Sequence, residues 1–173
     1  VSRCYVIEFK DGKPDTYAEF PNSWGGAARI WTSLYDKYMK DPAKEYDSWL
    51  MDYETKLWAL ATSEKLEPCE RITMLATFDY AIIRRENFGK VAADLRGFVA
   101  LNPAPSGSVD HVPAWADLIE ASSAEAIGFH GTSVSEDLWQ EWDEDADEAV
   151  VYDLNKGDRH FEIYERECEQ EAR

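Results

Sequence analysis

Strand-like alternation at both ends of the chain encloses a middle in which apolar residues recur at helical spacing, and few architectures satisfy both patterns at once. Cys4 to Phe9 reads as a strand, Asp11-Gly12-Lys13-Pro14 as a turn, and Thr16 to Phe20 as the returning strand of a hairpin. Near the other end, Ala149 to Leu154, the turn residues Asn155-Lys156-Gly157-Asp158 and Arg159 to Glu165 predict a second hairpin. The tail from Glu165 to Arg173 is charged and is expected to fray.

Between these ends, Pro21-Asn22-Ser23 is expected to open a helix with Ser23 as its N-cap, despite the two glycines Gly25 and Gly26. Its core face is Ala27, Ile30, Trp31, Leu34, Tyr35 and Tyr38, and Asp41-Pro42 ends it. A second helix is predicted from about Glu45 to Ser63, with Tyr46, Trp49, Leu50, Tyr53, Leu57, Leu60 and Ala61 on one side. A short link should let it pack antiparallel to the first. Ile72, Met74, Ala76, Phe78, Tyr80 and Ile82 alternate, which predicts a long strand bent near Asp79. Asn87 to Leu101 returns to helical spacing through Phe88, Val91, Ala92, Leu95, Phe98 and Val99. Pro103 to Ser108 is a loop, and Pro113 suits the first turn of a fourth helix bearing Trp115, Leu118 and Ile119. Ala126 to Val134 reads as a strand and Ser135 as the cap of a short helix. The expected fold is α+β: one domain spanning 1–173, with a mixed, mostly antiparallel sheet covered by about four helices.

The composition supports a packed core, because 45% of the residues are hydrophobic and 13% aromatic, far above what a disordered chain carries. Three cysteines, Cys4, Cys69 and Cys168, are odd in number and widely spaced, unlike a disulfide framework or a zinc site. With no apolar run near membrane-spanning length and no basic-then-apolar leader in Val1 to Phe9, a cytoplasmic protein with free thiols is expected.

The net charge of −17 excludes direct attraction to phosphate backbones or anionic membranes, so neither nucleic acid nor membrane is an expected partner. The charge is concentrated. Fifteen acidic residues fall between Glu136 and Arg173, opposed only by Lys156, Arg159, Arg166 and Arg173. At the centre of this section, Trp139-Gln-Glu-Trp142-Asp-Glu-Asp-Ala-Asp-Glu148 packs carboxylates that repel one another within a Debye length of about 8–10 Å. A cationic partner would relieve that repulsion, and the two tryptophans supply aromatic anchors of the kind that dominate binding energy. The alternative is a solvated loop flanked by core tryptophans, its acidity serving solubility or adaptation to salt.

Catalytic and metal-binding signatures are mostly lacking. No glycine-rich phosphate loop occurs, and Gly131-Thr132-Ser133-Val134-Ser135 lacks the closing glycine of a nucleophile elbow. His111, His130 and His160 have no metal-ligand spacing. Asp143, Asp145 and Asp147 alternate like calcium-loop ligands, but Glu148 stands at the required glycine and Leu154 at the required glutamate. No metal and no cofactor are expected.

Phe129-His130-Gly131-Thr132 resembles the His-Gly-Thr strand with which many ADP-ribosyltransferases hold nicotinamide adenine dinucleotide. The resemblance implies that His130 and Thr132 would contact the cofactor, with Tyr152 and either Glu162 or Glu165 completing the site. That family places the strand near the start of its domain, whereas 43 residues follow His130 here. The competing reading is a buried strand ending in a small-residue turn, which leaves a non-enzymatic role as the expectation.

In size and charge the chain resembles, as a class, the DNA mimics of phages and mobile elements that block restriction, CRISPR or host DNA enzymes. The leading expectation is an inhibitor or decoy that presents carboxylates to a basic, nucleic-acid-binding protein site. Its expected contact residues are Glu136, Asp137, Trp139, Glu141, Trp142, Asp143, Glu144, Asp145, Asp147 and Glu148. An immunity protein against a toxin nuclease would use the same physics, and self-association stays open.

Overall fold

The computed structural model describes residues 3–21, 26–130, 140–157 and 159–164. Strands β1 (Arg3–Lys10) and β2 (Lys13–Pro21) form the predicted N-terminal hairpin. Asp11 and Gly12 both adopt left-handed backbone, with φ of 52° and 78°, as a tight two-residue hairpin turn requires. Five α-helices are among the described elements: α1 (Ala27–Tyr38), α2 (Tyr53–Ala61), α3 (Pro68–Ala76), α4 (Phe88–Leu101) and α5 (Val112–Ala121). Strand β3 (Ala81–Arg84) lies between α3 and α4, and β4 (Ala126–His130) follows α5. The chain then forms β5 (Gln140–Asp143), β6 (Glu148–Val151) and β7 (Phe161–Glu162).

The main sheet has strand order β2-β1-β4-β3-β7, antiparallel throughout except for the parallel pair β3–β7. Alternation along its strands divides two cores. Val6, Ile83, Ile127 and Phe129 point into the helical layer with Leu34, Leu60, Phe98 and Trp115. Ile7, Phe9, Ile82 and Ala126 point the other way, where Tyr152 and Leu154 cover them. The architecture is therefore the α+β class read from the sequence, a mostly antiparallel mixed sheet with helices on one face. Among the described residues, no helix is long and apolar enough to cross a membrane.

Three predicted elements need correction. The helix expected over 45–63 begins only at Tyr53. Asp52 just before it is left-handed (φ 59°), and residues 41–52 are a run of turns. Asp47 organises that run: its carboxylate accepts from the Asp41 backbone N–H at 2.7 Å, the Tyr35 hydroxyl at 2.6 Å and Lys56 Nζ at 2.9 Å. A short acid satisfied this way stabilises turns over helix. Tyr46 and Leu50, expected on the same side as Leu57 and Leu60, are 78% and 66% exposed.

The strand expected from Ile72 to Ile82 is a helix, α3, followed by a turn at residues 77–80 and the short β3. Pro68 sits in the first turn of α3, and the Glu67 N–H donates to Glu70 Oε2 at 3.0 Å. Ile72, Thr73, Met74, Leu75 and Ala76 are all buried, so a helix enclosed on every side carries no 3.6-residue stripe to read.

The C-terminal hairpin is displaced. Ala149 and its neighbours pair backwards with 140–143, not forwards with 159–165. Phe161 and Glu162 instead join the main sheet beside Ala81 and Ile82. The cause is the sheet's second face, which needs Tyr152 and Leu154 as cover. Leu154 N–H donates to the Gly12 carbonyl at 2.7 Å, holding this strap across the first hairpin turn. The first helix begins at Ala27 with Gly26 at its N-cap position, so the cap is not the expected Ser23, which like Ser135 lies outside the described residues; the strand expected to Val134 is described as far as His130.

Candidate partner-binding hairpin

The acidic centre is a β-hairpin and not a loop. Gln140 pairs with Val151, Glu141 with Val150, Trp142 with Ala149, and Asp143 with Glu148. Directly opposed residues share a face, so one side carries Gln140, Trp142, Ala149 and Val151 and the other Glu141, Asp143, Glu148 and Val150. The first side is apolar and open: Trp142 is 62% and Val151 42% exposed.

The turn is built by two of the acids. Asp143 Oδ1 accepts from the N–H groups of Asp145 at 3.0 Å and Ala146 at 3.1 Å, and Asp147 takes the left-handed conformation with φ 53°. Aspartate tolerates that region better than most residues, which explains how a hairpin turns here without glycine.

Arg159 ties the hairpin to the body. Its Nη2 donates to the Gln140 carbonyl at 2.9 Å, and its Nε lies 3.5 Å from Glu141 Oε1. The guanidinium also stacks over Tyr80 and Tyr152, with centroid distances of 5.3 and 5.2 Å. Tyr152 is fully buried, and burial pushes its phenol above the ordinary range, so the neutral hydroxyl meets His160 Nδ1 at 2.5 Å.

The carboxylates between 141 and 148 thus divide by role. Glu141 faces Arg159, while Asp143 and Asp147 shape the turn. Glu144, Asp145 and Glu148 have no side-chain hydrogen bond or ion pair among the described residues; all three are exposed, the first two in the turn and Glu148 on the face opposite Trp142. Chemically, the hairpin presents concentrated negative charge beside one indole. Among the described residues, no three His, Cys, Asp or Glu side chains gather to hold a metal ion.

Of the ten predicted contact residues, Glu136, Asp137 and Trp139 lie outside the described residues; the other seven all lie on the hairpin or its turn. For the ADP-ribosyltransferase resemblance, His130 ends β4 opposite Tyr5, while Thr132 and Glu165 lie outside the described residues. Tyr152 is buried as above, and Glu162 on β7 is paired with Arg84 at 2.7 Å. Of the other histidines, His111 is buried with Nε2 2.8 Å from the Pro21 carbonyl. Cys4 is buried and Cys69 half-buried.

No protein-family model, curated protein or solved structure matches this chain.

Proposed function

We propose that the protein is an acidic inhibitor or decoy whose β5–β6 hairpin docks on a basic protein surface that otherwise engages nucleic acid. A host-defence or DNA-processing enzyme, or a toxin nuclease, would offer such a surface. The observation that carries this reading is a hairpin that exposes Trp142 on one face and carries Glu144 and Asp145 in its turn and Glu148 on its other face, none of these acids meeting a cation of its own chain among the described residues. Duplex DNA presents one charge per about 1.7 Å of axis, and a surface built to hold it is attracted to any comparably dense anion. Burial of the exposed indole then converts steered encounter into residence.

The test uses immobilised protein and host lysate at low salt, with bound proteins displaced by duplex DNA. Proteins that elute with DNA, and are lost when Glu144, Asp145 and Glu148 are replaced by lysine, support the reading. Capture indifferent to both DNA and the triple replacement would refute it.

A further inference from the structure

A second site lies on the helical side, where Tyr53 and Trp58 of α2, Trp31 of α1, and Phe78 with Asp79 in the α3–β3 turn surround a pocket of about 190 Å³. Its walls are aromatic and mutually steep: Trp58 and Phe78 have centroids 4.8 Å apart at 77°, and Trp31 and Phe78 are 6.2 Å apart at 74°. The Trp31 indole N–H is spent on Thr77 Oγ1 at 2.9 Å, leaving its ring as apolar wall. Tyr53 and Trp58 remain 49% and 38% exposed, so the pocket is open to solvent. The charges among its lining residues are the carboxylates Glu54 and Asp79, with no Lys, Arg or His among the described lining.

We propose that this pocket binds a methylated ammonium head group. Ring quadrupoles attract a cation placed within about 6 Å of their centroids, and the carboxylates add to that attraction. A bare ammonium brings three N–H donors and tight hydration; Glu54 and Asp79 are the carboxylate acceptors of the lining, and the aromatic rings that make most of the wall do not replace the rest of its water. Methylation removes the donors and spreads the charge over methyl groups that pack on rings. The volume is below the 300–1,000 Å³ usual for drug-sized ligands, so it suits a head group and not a whole nucleotide or cofactor. The site is separate in chain position from the β5–β6 hairpin, and its failure would leave the hairpin reading untouched.

Choline is the probe, titrated against sodium chloride at matched ionic strength. Tryptophan fluorescence and the indole N–H resonances of Trp31 and Trp58 are the readouts. We expect a saturable shift of both resonances, and at least about fivefold weaker binding of 3,3-dimethylbutanol, the neutral isostere. Glu54→Gln, at an exposed position, should weaken choline binding severalfold with an unchanged unfolding midpoint, and Trp58→Ala should abolish it. A trimethyl-lysine peptide that binds more tightly than choline would assign the head group to a protein side chain, whereas weaker binding would assign it to a free small molecule. Equal binding of the neutral isostere, or choline titrations that leave Trp31 and Trp58 unmoved, would overturn the proposal.

Discussion

Gly157 has no room for a side chain. A Cβ there would lie 2.0 Å from Tyr152 Cε2, and that ring is fully buried beneath the strap with no space to retreat. Gly157→Ala is expected to cost about 2–3 kcal/mol in denaturant unfolding, as overpacking at a rigid site does. Gly12 combines a left-handed φ of 78° with a Cβ position 2.3 Å from Asp153 Oδ1, so Gly12→Ala should destabilise for two reasons at once. Gly89 is the contrast: it sits in α4 with nothing within 4 Å of its Cβ position. Gly89→Ala should stabilise by about 0.5 kcal/mol through helix propensity. Opposite signs from the same chemical change would show that Gly157 and Gly12 are fixed by their surroundings, Gly157 through packing and Gly12 through its left-handed backbone as well. Equal effects at all three positions would refute that account.

Glu70 shows how one element is fastened to two others. Its carboxylate is wholly inside, accepting from Lys37 Nζ at 2.5 Å and the Tyr38 hydroxyl at 2.6 Å on α1, and from Asn102 Nδ2 at 2.9 Å after α4. Burial alone would raise its pKa, but these hydrogen bonds outweigh burial and hold it below the ordinary glutamate range. A folded-state pKa below the unfolded value of about 4.3 contributes stability that is present above that pH and lost as pH falls through the folded value. Glu70→Gln should therefore lower stability at neutral pH by about 2 kcal/mol and flatten the acid limb of the stability curve relative to the native chain. Parallel acid limbs in unfolding titrations of the two proteins would count against this linkage. None of this network was legible in the sequence, since a glutamate between Cys69 and Arg71 does not announce partners at Lys37, Tyr38 and Asn102. The same holds for α3 itself, whose enclosure erased the helical stripe, whereas α1, α4 and α5 each present one buried face and could be read, and β1–β2 was legible from its Asp11-Gly12 turn although β1 is buried on both faces. The hairpin at 140–151 was misplaced because an Asp-built turn lacks the glycine signal that Asn155-Lys156-Gly157 displays. Its acidity and tryptophan were legible; its two faces depended on strand pairing.

At the scale of the whole molecule, a net charge of −17 acts over tens of ångströms while one indole acts only at contact, so the two should separate in kinetics. Association with a basic partner should slow steeply between low and physiological ionic strength, because steering depends on the summed field. Replacing Glu144, Asp145 and Glu148 by lysine removes three negative and adds three positive charges at the hairpin tip, and should reduce both the on-rate and its salt slope. These residues lack structural partners among the described residues, so stability should change little. Asp143 is unsuitable for the same replacement, since its carboxylate holds the turn. Trp142→Ala should instead shorten the complex's lifetime while leaving the salt slope of the on-rate unchanged. Surface-based kinetics with a partner recovered by DNA elution measures both quantities on one set of variants. If Trp142→Ala altered the on-rate and its salt dependence while the lysine variant left them alone, the hairpin would not be the steered surface. A partner that held this protein and duplex DNA together, with no loss of affinity for either, would replace competition at one site with binding at two.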